Sequence, residues 1–225
     1  MPSSIDLLPT QTLISSFFSP PNLAILRSDL KGLNLTRITE LSEFHEKQFI
    51  DSIKPFLLSS NLCLEGSVLV DVGFGGGFPS LPIISNFNEY SFEVLGIEAR
   101  AKKVKAVNFI SEKMNLNKFK AVHLRLENLM FDRECIITFK AVGKISEFLS
   151  KIQYSTANIK VLFYKGPSLS DQESGYRNIF GWELIEENEY LIGENKRKYL
   201  IYKPVMEQEN TNKDLVNLTS ILSNK

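Results

Sequence analysis

A glycine-rich turn that follows an apolar strand is the feature that most restricts what this chain can fold into. The segment from Val68 to Pro79 reads VLVDVGFGGGFP. Its apolar start predicts a buried strand, its glycines a tight turn, and Pro79 the first turn of a helix, where a missing N–H is tolerated. A strand, turn and helix of this kind predict an α/β fold.

Short β-branched runs recur beyond Gly66 and alternate with amphipathic stretches. This alternation predicts a Rossmann-like, mostly parallel sheet flanked by helices. The last two runs are separated only by Leu191–Arg197, which is too short for a crossover helix, so they predict an antiparallel hairpin at the edge of the sheet. The predicted strands are Ser67–Val72, Phe92–Ile97, Lys120–Leu124, Cys135–Phe139, Lys160–Tyr164, Glu183–Tyr190 and Lys198–Tyr202.

The chain divides by its patterns into three parts. Residues 1–58 predict a helical, strand-poor extension, residues 59–205 the main domain, and residues 206–225 a polar tail that frays. The 225 residues carry 26 basic and 26 acidic side chains, so no overall charge attracts the protein to nucleic acid or membrane. Cys63 and Cys135 have no metal-ligand spacing, and no apolar run reaches the length of a membrane span. We therefore expect a cytoplasmic monomer with no metal and no membrane partner.

The turn also restricts the ligand. Gly73, Gly75 and Gly77 let a ligand approach the backbone closely. A nicotinamide dinucleotide fingerprint would place its last glycine where Phe78 stands, which disfavours a dehydrogenase. Asp71 at the strand end predicts contact with a cationic group, such as the ammonium of S-adenosylmethionine. The alternative is an aspartate that only caps the next helix.

Two acidic positions follow the next strands. Glu98 ends the second strand at roughly the 20-residue offset expected of an acid that binds ribose hydroxyls. It is also compatible with an acid that begins a helix. After the third strand, Leu126 and Glu127 are candidates for contact with an adenine ring, with a solvated turn acid as the alternative for Glu127.

Several segments together resemble one family, the bacterial ribosomal RNA small-subunit methyltransferase G family, also called glucose-inhibited division protein B. The likeness runs from about Asn34 to Val205. It rests on Leu33-Asn-Leu-Thr36, Phe49-Ile-Asp51-Ser52-Ile, Asp71 to Pro79, Glu98 with Lys102-Lys103, Arg125-Leu-Glu127, Thr138-Phe-Lys140-Ala-Val, Tyr164-Lys165-Gly-Pro167 and Lys198-Tyr-Leu-Ile.

The resemblance implies an S-adenosylmethionine-dependent enzyme that methylates N7 of a guanine in small-subunit ribosomal RNA. It implies cofactor contacts at Gly73, Phe78, Leu126, Glu127, Lys140 and Glu98, with Lys140 also the catalytic candidate. Three positions depart from the family pattern. They are Ser80 in place of glycine, Gln48 in place of histidine and Lys140 in place of arginine.

The residues agree with this chemistry. Guanine N7 carries a lone pair and no proton, so its reaction with a methyl group needs alignment more than a general base. The motifs of exocyclic-amine and C5 methyltransferases are absent from the sequence. Basic residues around the second helix and the last strand are candidate contacts for ribosomal RNA or the small subunit, and a solvated helix face is the alternative. The candidates are Lys102, Lys103, Lys165, Arg197 and Lys198.

Three other functions remain open from the sequence. They are a methyltransferase of the same fold with a non-RNA substrate, a cofactor-binding protein without turnover, and the disfavoured nicotinamide dehydrogenase.

Overall fold

The computed structural model describes Leu35 and residues 41–156, 158–206 and 214–223, and its largest element is a seven-stranded sheet. The strands of this sheet are β1 (Val68–Val72), β2 (Glu93–Glu98), β3 (Phe119–His123), β5 (Cys135–Lys140), β7 (Ile159–Lys165), β8 (Trp182–Ile192) and β9 (Asn195–Pro204). Their order is β3-β2-β1-β5-β7-β9-β8. The first five run parallel, and β9 is antiparallel to both β7 and β8.

The predicted Rossmann-like sheet and its edge hairpin are confirmed. All seven predicted strands are present, and β8 and β9 are joined by a turn at Gly193 and Glu194. All five residues of β1 are buried, as expected of a parallel strand that is covered on both faces. The helix after the glycine turn begins at Ser80, one residue later than predicted, and Pro79 directly precedes it.

Helices cover both faces of the sheet. They are α1 (Leu41–Phe44), a π-helical stretch (His45–Ile50), α2 (Asp51–Leu58), α3 (Ser80–Asn86), α4 (Ala101–Lys113), α5 (Ile145–Leu149), α6 (Leu169–Gln172) and α7 (Leu218–Ser223), with a 3-10 turn at Leu126–Asn128. Residues 41–58 form one continuous helical run, which belongs to the predicted extension. Residues 1–34 and 36–40 of that extension lie outside the described residues.

The core consists of two apolar layers separated by the sheet. Successive residues of each strand point to opposite faces, so Leu69 packs in one layer and Val70 in the other. The first layer includes Phe49 and Ile53 from the N-terminal helical run, together with residues of α3 and α4. The second includes residues of α5, α6 and α7. The N-terminal helical run is therefore part of the core of the main domain.

Residues 214–223, which fall within the polar tail predicted for residues 206–225, contain a short strand and a helix, whereas residues 207–213, 224 and 225 lie outside the described residues. A second sheet contains β4 (Leu129–Phe131), β6 (Gln153–Tyr154) and β10 (Val216–Asn217), with β4 in the centre. Within α7, Leu218 is fully buried and Leu222 nearly so. These two leucines are four residues apart, so they lie on one face of the helix and pack into the second layer of the core.

Candidate functional site

The glycine-rich turn after β1 borders open space at two of its glycines. Gly73, Gly75 and Gly77 have φ angles of 70°, 58° and 93°, which residues with a Cβ atom rarely adopt. Among the described residues, no atom lies within 4 Å of a Cβ atom placed on Gly73, and none lies closer than 3.9 Å to one placed on Gly75. A Cβ atom on Gly77 would lie 2.5 Å from Leu81 Cδ1. Gly73 and Gly75 therefore leave room for a ligand, whereas Gly77 allows the turn to pack against α3.

Asp71 at the end of β1 is buried and holds the start of α3. Its Oδ2 accepts hydrogen bonds from the Ser80 backbone N–H at 3.2 Å and from Ser80 Oγ at 2.6 Å. Its Oδ1 accepts one from Thr138 Oγ1 at 3.3 Å. Burial raises the pKa of Asp71 to about 6, and the hydrogen bonds from Ser80 and Thr138 limit the rise. In this arrangement Asp71 caps the helix, which was the alternative to contact with a ligand.

Glu98 at the end of β2 is buried beside the glycine turn. Its Oε1 accepts a hydrogen bond from the Arg100 backbone N–H at 3.1 Å, and its Oε2 lies 3.9 Å from Lys103 Nζ. The same ammonium lies 3.9 Å from the position of a Cβ atom on Gly75. Lys103, predicted to contact RNA, is therefore positioned between the turn and Glu98, at the edge of the sheet where cofactor binding is predicted.

The other predicted cofactor contacts have different surroundings. Phe78 is buried, and its ring packs edge-to-face against Phe44 with centroids 5.3 Å apart. Leu126 is buried in the 3-10 turn, whereas Glu127 is exposed and lies 4.0 Å from Lys151 Nζ. Phe78 thus joins the glycine turn to the N-terminal helical run, and Glu127 lies at the surface in an ion pair with Lys151.

These positions share one edge of the sheet because β1, β2, β3 and β5 are parallel. Their carboxyl ends carry the glycine turn, Glu98, the 3-10 turn and Lys140 respectively. The chain continues from β1 to β2 on one side, whereas β5 and β7 lie on the other side. Such a reversal of strand order opens a crevice at the carboxyl ends, where ligands of open α/β sheets bind.

Lys140 ends β5, but its ammonium is held by the N-terminal helical run. Nζ donates to Lys47 O at 3.1 Å and to Gln48 Oε1 at 3.2 Å, and it forms an ion pair with Asp51 Oδ2 at 3.1 Å. An ammonium has three N–H donors, so these contacts use all of them. Burial lowers the pKa of Lys140, and the Asp51 carboxylate opposes that shift. Two of the three departures from the family pattern, Gln48 and Lys140, are thus in direct contact.

A cavity of about 660 Å³ opens next to this contact, and basic side chains predominate in its lining. It lies between the N-terminal helical run, the end of β5, the loop after β7 and the β8–β9 turn. We name it the basic cavity. It is lined by Lys47, Asp51, Lys140, Pro167, Ile192, Glu194, Asn195, Lys196 and Arg197. Four cations and two carboxylates give it a net positive charge, which favours an anionic ligand.

The structure separates the five predicted RNA contacts. Lys102 is exposed on α4, and Arg197 lines the basic cavity. Lys165 is half-buried and donates to Gly143 O, and burial lowers its pKa. Lys198 is only 8% exposed, and its ammonium lies 2.7 Å from a carboxylate oxygen of Glu187. Lys198 therefore points away from the basic cavity and does not join the other candidates.

Two residues of the site were missed by reasoning from the sequence. Asp51 forms ion pairs with both Lys140 and Arg197, and Gln48 bonds Lys140. Asp51 has a recognisable signal, because it is an acid within the apolar stretch Phe49–Ile53 and such an acid is buried only with a partner. Gln48 has no signal beyond its departure from the family pattern.

Neither a metal centre nor a membrane span is found in the described part of the chain. No group of three or more His, Cys, Asp or Glu side chains is arranged to hold a metal ion there. No helix among these residues is long and apolar enough to cross a bilayer.

The fold and the crevice define the class of protein. A crystal structure of an S-adenosylmethionine-dependent methyltransferase from Aquifex aeolicus superimposes with a TM-score of 0.52 at 17% identity, over 72% of this chain and 93% of that chain. The chain thus has the Rossmann-like fold of that methyltransferase, and sequence relatives identify its family.

The family described as rRNA small subunit methyltransferase G matches residues 23–218. A protein of Lactobacillus acidophilus with the name Ribosomal RNA small subunit methyltransferase G is 30% identical over 178 residues, 74% of this chain and 72% of that protein. One of Lactobacillus helveticus with the same name is 33% identical over 172 residues, 71% and 70% of the two chains. The chain belongs to the rRNA small subunit methyltransferase G family.

Proposed function

We propose that the protein transfers a methyl group from S-adenosylmethionine to N7 of a guanine in small-subunit ribosomal RNA. The observation that carries this proposal is the joint location of an open glycine turn, a buried carboxylate and a basic cavity at one edge of a methyltransferase sheet. Membership in the family supports the RNA substrate, because the relatives are named for it.

The residues at this edge fit the cofactor. The space above Gly73 and Gly75 admits a ligand against the backbone. Glu98 has one oxygen bonded to the backbone, while the other lies 3.9 Å from Lys103, beyond hydrogen-bond distance. That oxygen is available to accept a ribose hydroxyl. Exposed Glu127 is available to an adenine amine.

The mechanism needs orientation more than proton transfer. The bound cofactor supplies an electrophilic methyl group. Guanine N7 has a free lone pair in the plane of the ring, so no residue of this chain has to remove a proton before attack. The chain contributes a fixed turn at Gly73 and Gly75, a carboxylate at Glu98 and a cationic cavity that attracts the RNA. Such positioning lowers the barrier by fixing the reacting atoms in line.

The test uses the purified protein, S-adenosylmethionine and unmethylated small ribosomal subunits or naked small-subunit RNA. Mass mapping of the RNA should show a guanine that carries a new methyl group on N7. Cofactor binding without transfer to either RNA would support a protein without turnover, and transfer only to a small molecule or protein would support a different substrate. Either outcome contradicts the proposal.

The cofactor site is tested separately by Glu98→Ala. We expect cofactor binding to weaken by about 1–3 kcal/mol in calorimetry, because ribose hydroxyls lose a charged acceptor. Glu93→Ala is the matched control, since Glu93 begins the strand that Glu98 ends and lies at the opposite edge of the sheet. If Glu98→Ala binds like the wild type while folded, Glu98 is not a cofactor residue.

A further inference from the structure

Asp51 forms the centre of a charged cluster between the N-terminal helical run and the sheet. Its Oδ1 accepts hydrogen bonds from Tyr190 Oη at 2.9 Å and Arg197 Nε at 3.1 Å. Its Oδ2 accepts from Arg197 Nη2 at 3.2 Å and is paired with Lys140 Nζ at 3.1 Å. A carboxylate offers about four lone-pair positions, so all positions of Asp51 are in use. Because Asp51 is only 2% exposed, it has no capacity to bind a ligand itself.

Lys140 and Arg197, the two cations paired with Asp51, differ in the number of N–H donors that remain for a ligand. Lys140 uses its three N–H donors on Lys47, Gln48 and Asp51, and its side chain is 8% exposed. Arg197 has five N–H donors, of which Asp51 takes two, and its side chain is 31% exposed at the wall of the basic cavity. Arg197 is therefore the cation of this cluster that can bind an anion in the cavity.

Pairing with Asp51 also restricts the orientation of Arg197. Two parallel hydrogen bonds from Nε and Nη2 fix the plane of a guanidinium. The carboxylate is in turn fixed by Lys140 and Tyr190, which belong to different strands of the sheet. Burial opposes the charge on Arg197, but the Asp51 carboxylate raises the pKa of that guanidinium and keeps it protonated. Arg197 is thus held in one orientation before any ligand arrives.

We propose that Asp51 is a positioning residue that aims Arg197 into the basic cavity to bind a phosphate of the RNA substrate. Lys140 supports this arrangement by fixing Asp51 and does not contact the substrate. This inference rests on the proposed function. It assigns a phosphate contact to Arg197, one of the RNA contacts predicted from the sequence, and gives Lys140, the predicted catalytic residue, a supporting role.

The test compares Asp51→Asn, Arg197→Ala and the double variant with the wild type. We measure binding of unmethylated small ribosomal subunits over a range of KCl concentrations, and cofactor binding by calorimetry. Each single variant should weaken subunit binding at least ~5-fold and lower the slope of log affinity against log salt by about one, as expected for one lost phosphate contact. The double variant should lose no more than either single variant, because both changes remove the same contact. Cofactor affinity should stay within twofold.

The chain contains a second charged cluster of similar composition, more exposed than that around Asp51, which serves as a control. Glu187 accepts hydrogen bonds from Tyr176, from Nε and Nη2 of Arg177 and from Lys198, the same three residue types that surround Asp51. This second cluster does not line the basic cavity. Glu187→Gln should therefore weaken the fold less than Asp51→Asn does, while subunit affinity and its salt slope remain those of the wild type.

The inference is overturned if folded Asp51→Asn keeps wild-type subunit affinity and salt slope, or if the losses of the two single variants multiply. Should Asp51→Asn fail to fold, Tyr190→Phe replaces it, since it removes one hydrogen bond from Asp51 and leaves all charges paired. A smaller loss of subunit affinity, of about 2-fold, is then expected, and no loss refutes the inference. Failure of the proposed function is distinguishable, because the wild type would then transfer no methyl group to these subunits.

Discussion

At the scale of single residues, two buried acids near the active edge of the sheet have partners of different charge. Asp71 is surrounded by the hydroxyls of Ser80 and Thr138, which are neutral, and burial raises its pKa to about 6. Asp51 is equally buried but is paired with the cations Lys140 and Arg197. Two acids near the same edge of the sheet therefore have different partners, and their substitution has different consequences.

The raised pKa of Asp71 predicts that the free energy of unfolding depends on pH. Its folded pKa of about 6 exceeds its ordinary value of 3.8, so the folded state binds more protons between these values and loses relative stability as pH rises through about 6. Asp71→Asn removes this cost. The variant should therefore gain ~1–3 kcal/mol in free energy of unfolding, relative to the wild type, between pH 5 and pH 8. Urea unfolding of both proteins at the two pH values measures it, and an equal difference at both would contradict it.

Replacement of Lys140 by alanine is expected to lower stability as well as activity. A purely catalytic role for Lys140, the candidate from the sequence, would mean that its removal lowers methyl transfer at least ~10-fold with little change in melting temperature. The buried contact with Asp51 changes the second expectation, because removal of the ammonium leaves a carboxylate with one cation fewer. Lys140→Ala should lower the free energy of unfolding by ~1–3 kcal/mol and methyl transfer by at least ~10-fold. Exposed Lys102 gives the control variant, Lys102→Ala, which should unfold like the wild type.

At the scale of elements, the glycine turn and the N-terminal helical run are built against each other. Phe78 at the end of the turn packs on Phe44, and a Cβ atom on Gly76 would lie 2.6 Å from Leu35 O. Backbone from the region before α1 therefore approaches the turn too closely for any side chain at Gly76. The turn thus has a free side at Gly73 and Gly75 and a packed side at Gly76.

The free side of the turn is tested by Gly75→Val. Valine is strained at the φ of 58°, and its side chain occupies the space assigned to the cofactor. Cofactor binding in calorimetry should fall below detection while the protein remains folded. Gly175→Val is the control. Gly175 has a φ of 83° and lies outside the crevice with no described atom close to its Cβ position, so this variant introduces backbone strain without occupying the cofactor space. Normal binding by Gly75→Val would show that the turn is not the cofactor site.

At the scale of the whole molecule, contacts distant in sequence join the two ends of the described chain to one sheet. Tyr164 Oη donates to Ser52 O at 2.6 Å, and Glu186 accepts hydrogen bonds from Ser59 and Asn61. The N-terminal helical run is thereby bonded to β7, and the segment that follows it is bonded to β8. At the other end, α7 buries Leu218 in the second layer of the core. The basic cavity depends on this assembly, because its walls come from parts of the chain that are far apart in sequence.

The packed C-terminal segment predicts a measurable share of stability. Leu218→Ala should lower the free energy of unfolding by about 2–4 kcal/mol, since it removes a fully buried leucine and leaves a cavity. Val216→Ala, at a side chain that is 41% exposed, should change it by less than about 0.5 kcal/mol. Urea unfolding of both variants checks this. Equal and small effects would mean that residues 214–223 behave as the polar tail expected from the sequence.

The sequence alone determined the sheet, its edge hairpin and the location of the glycine turn. Apolar runs and their turns are local patterns, and burial on both faces of parallel strands makes them visible in a single chain. The sequence also placed Glu98 correctly at the end of β2. In a regular sheet, the number of residues between the glycine turn and the acid is enough to predict this position.

Only the tertiary structure decided which side chains meet. The Asp71 side chain accepts hydrogen bonds from Ser80 and Thr138, and the Lys140 side chain pairs with Asp51. These contacts depend on which elements are adjacent in space. No periodicity in the sequence records that adjacency. The same holds for α7. Its leucines are too few to predict a helix, but they are buried when β10, directly before α7, pairs with β4. Local patterns specify elements, whereas pairing between distant residues is selected by the free energy of burying charged and apolar groups together.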